Sequence, residues 1–121
     1  MLWRVDPGSP QPLFEQLAAS VRAEIARGAV GAGDRLPGAR DVGASLGVHH
    51  HTVLKAYQEL RDEGLVEMRP GRGAVVTGTA RDIGQLQVRV ADLVAKARDA
   101  GVGDETLVSL VRLAQREAVR S

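Results

Sequence analysis

Residues 38–64 decide the fold, and they read GARDVGASLGVHHHTVLKAYQELRDEG. Apolar residues recur at helical spacing on both sides of Gly47, and glycines at this position and at Gly64 are typical helix ends. We predict a short helix over residues 38–46, a tight turn at Gly47, and a second helix over residues 50–63. Two helices joined by a short glycine turn form a helix-turn-helix unit. The inward-facing residues would be Ala39, Val42 and Leu46 on the first helix, and Val53, Ala56, Tyr57 and Leu60 on the second.

One more helix is predicted before this unit and a hairpin after it. Upstream, apolar residues at steps of four predict a helix that ends at Gly28. Downstream, two short β-prone runs, residues 65–69 and 74–77, flank the turn-forming residues 70–73, which predicts a hairpin with a basic tip. This order of elements predicts a winged helix-turn-helix domain over residues 1–78. The stripe of the upstream helix is Leu13, Leu17, Val21 and Ile25.

The remaining residues, 79–121, predict two helices separated by the breaking segment 101–103. Each carries an apolar stripe with steps of three and four residues, which suits a seam between helices. Because the preceding domain is already complete, we expect these stripes to pack against a second copy of the chain; the alternative is extra core within the same chain. The predicted fold class is therefore mainly α with a small β-hairpin, an N-terminal winged helix-turn-helix plus a C-terminal two-helix dimerisation tail. The seam residues would be Ile83, Leu86, Val90, Leu93, Ala97, Leu107, Leu110, Val111 and Ala114.

The composition excludes several function classes. The 121 residues include no cysteine, which excludes a disulfide scaffold and any cysteine-based zinc or redox site. No signal-peptide pattern and no long apolar run is evident, so we expect a cytoplasmic protein with no membrane partner. No Ser/His/Asp order, glycine-rich phosphate loop or separated His/Glu ligand set is evident either. We therefore expect neither an enzyme nor a bound cofactor.

The net charge of +1 does not by itself indicate a nucleic-acid-binding protein, so a DNA-binding face has to arise from how the charges are arranged. Arg35 and Arg40 flank the first helix of the helix-turn-helix, where a guanidinium can hold phosphate or bind guanine with two hydrogen bonds. Gly71 and Arg72 lie at the predicted hairpin tip, where glycine allows close approach and arginine suits the minor groove. Each arginine could instead be a solvated surface charge.

The first turns of the second helix would face base edges, and these turns carry three consecutive histidines. Neighbouring residues on a helix point in different directions, so three adjacent histidines make a poor metal cage and we expect no metal. Contact with DNA is the favoured interpretation, with unspecialised surface residues and a metal site as the alternatives that the sequence leaves open. The candidate residues are His49, His50, His51, Thr52 and Lys55.

The local spelling closely resembles the DNA-binding domain of GntR-family transcriptional regulators over about residues 10–77. The AYQEL run and the short tail also resemble the YtrA subfamily, which has a two-helix dimerisation tail in place of a large effector-binding domain. The resemblance is carried by PLFEQL (12–17), GDRLPGARD (33–41), LGV (46–48), TV (52–53), AYQEL (56–60), EGLV (63–66) and RPGRG (69–73).

This resemblance implies a homodimeric repressor of an inverted-repeat operator in double-stranded DNA, often in a neighbouring transporter operon, with an effector that the sequence does not identify. The histidines depart from the family, which more often has small polar residues or arginine there, so the base sequence that the family recognises cannot be carried over. A winged helix used only for protein–protein contact is the alternative function.

Overall fold

The computed structural model describes residues 3–120 and contains five helices and one two-stranded sheet in that range. The chain divides into two compact units between Gln85 and Leu86. The elements are α1 (Leu13–Ala26), α2 (Ala39–Leu46), α3 (His50–Asp62), β1 (Val66–Arg69), β2 (Gly73–Val76), α4 (Thr79–Asp99) and α5 (Asp104–Arg120).

The core of the first unit lies between α1 and α3. Leu17 and Val21 of α1 and Val53 and Leu60 of α3 are all fully buried, as the stripes of the sequence predict. Gly28 has a φ of 78°, a left-handed conformation that glycine adopts without strain and that ends the helical path of the chain. The predicted helix-turn-helix and the helix before it are confirmed.

A close backbone approach fixes α2 against the start of α3. Gly43, in the middle of α2, is buried, and a Cβ atom on it would lie 2.7 Å from the carbonyl oxygen of Val48 and 3.3 Å from the amide nitrogen of His50. The turn itself uses Gly47, whose φ is 71°. The sequence analysis identified Gly47 and gave no role to Gly43.

The hairpin consists of two strands, and a third short segment pairs with it by an isolated bridge. β1 and β2 pair antiparallel, with Val66 opposite Val76 and Arg69 opposite Gly73. The segment before α2 pairs with the other edge of β2, because the Leu36 N–H donates to the Ala74 carbonyl at 2.8 Å. This pairing was not predicted, because one strand-like residue between glycine and proline gives no periodic signal in the sequence.

Two aromatic residues, Trp3 and Tyr57, connect α3 to the N-terminal segment and to the segment that precedes α2. Trp3 is buried and meets Tyr57 edge to face, with ring centroids 6.3 Å apart. The Tyr57 hydroxyl donates to the Pro37 carbonyl at 2.6 Å, and burial raises the pKa of that hydroxyl above its ordinary range. Tyr57 therefore works as a neutral hydrogen-bond donor inside the core.

The helix α4 begins at Thr79, which coincides with the predicted domain boundary at residue 78. Its first turns belong to the first compact unit, because Ala80 is buried and Ile83 packs against the core. The domain boundary at residue 78 stays a prediction. Across residues 3–120, no helix combines the length and the apolar character that crossing a membrane requires.

The second unit contains the rest of α4 and all of α5. The turn between them is closed by the Val102 N–H, which donates to the Ala97 carbonyl at 2.8 Å. Most apolar residues of this unit are exposed in the single chain, including Leu86, Val90 and Leu93.

We expect Gly43→Ala to lower the free energy of unfolding by about 1–3 kcal/mol, since the added methyl meets backbone that cannot move away easily. Thermal melting of the full chain measures the change. Gly84→Ala is the matched control, because a Cβ on Gly84 of α4 meets nothing within 4 Å. The control should hold stability or raise it. Equal melting of the two variants would contradict the role given to Gly43.

Candidate nucleic-acid interface

The first turns of α3 present a polar face to solvent. His49 precedes the helix in an extended conformation, and His51 and Lys55 are exposed on the helix. Thr52 is half-buried. The opposite face of the same turns is anchored in the core by Val53. The structure therefore brings the predicted recognition residues to one accessible end of α3.

The three histidines converge, which makes the expectation that they point in different directions wrong. The ring centroids lie 4.5 Å apart for His49 and His50, 4.8 Å for His49 and His51, and 4.3 Å for His50 and His51. His50 and His51, adjacent in the first turn of α3, form the closest pair, and His49 joins them from outside the helix, at its N-cap, with φ −68° and ψ 142°. Its Nδ1 accepts the His51 backbone N–H at 3.2 Å, so its ring folds back over the first turn.

An open recess of about 500 Å³ separates the start of α2 from α3. Arg40 and Asp41 line it from α2, and His50 and Leu54 line it from α3. Partial burial, the Arg40 guanidinium and the two neighbouring imidazoles hold the pKa of His50 below its ordinary value of 6.5. His50 is therefore a neutral imidazole at neutral pH and faces a permanent positive charge.

Arg35 lies on the segment that pairs with β2, so the sheet of the hairpin holds its backbone. The flanking hydrogen bonds join the Val76 N–H to the Asp34 carbonyl at 2.9 Å and the Leu36 N–H to the Ala74 carbonyl at 2.8 Å. The Arg35 side chain is exposed. This pairing is a positional constraint that the sequence analysis missed.

Arg72 occupies the hairpin tip as predicted. Gly71 and Gly73 flank it with φ values of 76° and 75°, a conformation that a residue with a Cβ adopts only with strain. The Arg72 N–H donates to the Arg69 carbonyl at 3.1 Å and closes the turn. The Arg72 side chain is left exposed at the outermost point of the hairpin.

Lys55 has an aromatic partner that the sequence analysis did not assign to it. Its Nζ lies 4.0 Å from the centroid of the Phe14 ring, at the start of α1. A cation over a ring face is attracted by the ring quadrupole, so Phe14 fixes where the ammonium sits. Phe14 is also partly buried against the core. Phe14 is one of only three Phe, Tyr or Trp residues in the chain, and its aromatic character was the sequence signal that could have pointed to this contact.

The arginines of this surface belong to the unpaired arginines of the described part of the chain, which also include Arg81, Arg89 and Arg112 of α4 and α5. Among residues 3–120, no ion pair engages Arg35, Arg40 or Arg72, and all three side chains are exposed. Several other arginines are neutralised by a carboxylate within 4.0 Å. Those pairs are Arg22–Glu63, Arg27–Glu24, Arg61–Asp62 and Arg69–Glu67.

Comparison with known proteins gives one family. The profile described as "Bacterial regulatory proteins, gntR family" matches residues 13–76. The HTH-type transcriptional repressor YtrA of Bacillus subtilis is 30% identical over 110 residues, which cover 86% of this chain and 85% of that protein.

Solved structures agree with this family. YtrA from Sulfolobus acidocaldarius, a GntR-family transcription factor, superposes with a TM-score of 0.60 and 33% identity over 78% of this chain and 99% of that one. The DNA-binding domain of AraR, solved in complex with operator ORX1, superposes with a TM-score of 0.55 and 25% identity. That match covers 60% of this chain and 90% of the AraR domain.

Arg40→Ala should weaken binding to duplex DNA by about 1–3 kcal/mol if Arg40 contacts a guanine with two hydrogen bonds, and by less if it holds only phosphate. The exposed side chain makes no ion pair, so thermal stability should not change. Arg61→Ala is the matched control, since Arg61 lies at the other end of α3 and pairs with Asp62. Fluorescence anisotropy and thermal melting measure the two effects. Equal affinities of the two variants would remove Arg40 from the interface.

Proposed function

The chain belongs to the gntR family of bacterial regulatory proteins and is a DNA-binding transcriptional regulator, and we propose that it is a repressor that binds an inverted-repeat operator as a homodimer. The observation that carries the proposal is the exposed, unpaired set of Arg35, Arg40 and Arg72 around the polar start of α3. The name of the Bacillus subtilis relative, a transcriptional repressor, supports repression rather than activation. A regulator of transcription works beside the chromosome, so we place it in the cytoplasm and expect no catalytic activity.

The proposed contacts follow from the geometry of the winged helix. We assign the first turn of α3, with His49–Thr52, to base edges in the major groove, since a recognition helix reads DNA with its N-terminal residues. Arg40 lies beside His50 and reaches guanine or phosphate from the same side. Arg35 and Lys55 hold phosphate. Arg72, with the backbone of Gly71, enters the minor groove, where negative potential attracts a guanidinium.

The proposed dimer rests on the exposed apolar faces of α4 and α5. In the single chain Leu86, Val90 and Leu93 are 57%, 50% and 46% exposed. Burying each such side chain contributes roughly 1.5–3 kcal/mol, so several across a seam can offset the entropy of association. The seam continues on α5 with Leu107, Leu110, Val111 and Ala114, and includes Ala97 of α4. Ile83, which was also predicted for the seam, packs in part against the core of its own chain.

Symmetry connects this dimer to the operator. When the same patch meets itself, the two chains are related by a two-fold axis. Two α3 helices related by that axis read inverted half-sites. The sites selected from a random duplex library should therefore be inverted repeats, and direct repeats or single half-sites would contradict the dimer.

Binding to a selected duplex should depend steeply on salt. Neutralising several phosphates per dimer releases counterions, so log affinity should fall against log salt with a slope of about −0.9 per phosphate contacted. Anisotropy titrations between low and physiological salt measure the slope. Arg72→Ala should make it shallower, whereas Arg61→Ala should leave it unchanged. Absent or salt-indifferent binding would instead support a winged helix used for protein–protein contact.

Leu93→Asp in the full chain should convert the dimer to a monomer at micromolar concentration and weaken operator binding. The charge would have to be buried in the seam or the seam opened, and the linkage of two DNA-binding units is then lost. Val88→Asp is the matched control, because Val88 is 70% exposed and lies on the side of α4 away from Leu93. Sedimentation decides the outcome. A wild-type monomer, or a Leu93→Asp dimer, would defeat the proposed seam.

A further inference from the structure

The histidine cluster at the start of α3 brings three potential metal ligands together. One nitrogen from each of His49, His50 and His51 lies within 4.8 Å of those from the other two. His49 and His51 are exposed and His50 is half-buried, so solvent reaches the cluster. These are the only three histidines of the chain, which also has no cysteine.

The separations are close to those that a metal ion requires. A transition metal lies about 2.0–2.1 Å from an imidazole nitrogen, so two nitrogens on one ion are at most about 4.2 Å apart. Closing the cluster from a 4.8 Å spread needs the nitrogens to approach by less than about 1 Å. The stacked rings must also rotate, so that the lone pair in the plane of each ring points at the same ion. The two exposed rings can make such movements without disturbing the core. We infer that His49, His50 and His51 form a site for a late first-row divalent cation, and that its loading strengthens DNA binding.

The surroundings select the type of cation. The Arg40 guanidinium faces His50, and the positive end of the α3 dipole lies at the same place, so a weakly held hard cation would be repelled. Imidazole nitrogen suits Cu²⁺, Ni²⁺ and Zn²⁺, whereas Mg²⁺ and Ca²⁺ require oxygen ligands. Asp41 lines the same recess as His50 and is the one carboxylate there that offsets the added charge.

Loading the site changes the cap of α3. The Nδ1 lone pair of His49 accepts the His51 N–H, so in the neutral ring the proton is on Nε2. Coordination through Nδ1 takes that lone pair, and coordination through Nε2 moves the proton to Nδ1. In both cases the cap hydrogen bond is exchanged for a metal bond.

The effect on DNA rests on the proposed placement of α3 in the major groove. Loading adds two positive charges beside the phosphates and leaves coordination positions open to an oxygen or nitrogen of the DNA. Against this stands the loss of one neutral hydrogen bond at an exposed helix end. Loading also takes the three imidazoles away from direct contact with bases, and the open coordination positions of the ion replace those contacts. We expect the added charge to outweigh both losses, so metal and DNA should bind cooperatively, and each should raise the affinity of the other by the same factor.

Calorimetric titration of untagged protein with Ni²⁺ tests the site itself. We expect one ion per chain in the wild type, and broadening of all three imidazole proton signals in the NMR spectrum. His49→Asn retains a good N-cap residue but removes one ligand, and should weaken Ni²⁺ binding about tenfold or more. Wild-type protein that binds no Ni²⁺ would overturn the site. A His49→Asn variant with unchanged affinity would show that His49 only caps the helix, and would also overturn it.

Anisotropy titrations with a selected duplex test the coupling. In chelator the wild type should bind DNA, and stoichiometric Ni²⁺ should tighten binding by about fivefold or more. The control with His49→Asn, His50→Gln and His51→Gln should show no response to Ni²⁺. Unchanged or weaker binding with Ni²⁺, or an equal response of the control, would overturn the coupling. Failure to bind any duplex in chelator would instead count against the proposed function and leave the Ni²⁺ titration as an independent result.

Discussion

The close approach of α2 to the start of α3 at Gly43 is the contact on which the surface of this protein depends. With no Cβ at Gly43, the backbone of α2 lies against Val48 and His50, and the turn between the helices can be short. That turn places His49 outside the helix, with its ring folded back over the first turn of α3. The backbone that carries the histidines is therefore held against α2 by this contact.

The periodic part of the fold was predictable because burial on a helix leaves a regular trace in the sequence. Leu17, Val21, Val53 and Leu60 are all fully buried where the stripes predicted. What the sequence could not supply were contacts without a period. The pairing of Leu36 with Ala74 depends on where β2 lies, and the place of His49 in the histidine cluster depends on its being a cap instead of a helical residue.

The two C-terminal helices, within residues 79–121, also show what the periodicity of a sequence cannot predict. A stripe of leucine and valine predicts that a face will be buried but does not name the partner. Leu86, Val90 and Leu93 are exposed in the single chain, whereas Ile83 packs in part against the core of the first unit. Ile83 differs from Leu86 because it falls within the first turns of α4, which belong to the first compact unit. The domain boundary and the seam therefore cannot be read from periodicity alone.

A chain with a net charge of +1 obtains a basic surface through the selective pairing of its charges. Glu63 accepts two hydrogen bonds from Arg22, at 3.0 and 2.6 Å, and so neutralises a cation on α1. Exposed pairs of this kind contribute about 0–1 kcal/mol each to stability, so their main consequence is electrostatic. Carboxylates neutralise Arg22, Arg27, Arg61 and Arg69, while Arg35, Arg40 and Arg72 make no ion pair among residues 3–120. The local field that attracts phosphate therefore depends on where unpaired arginines lie on the surface, and the net charge of the whole chain is a poor guide to it.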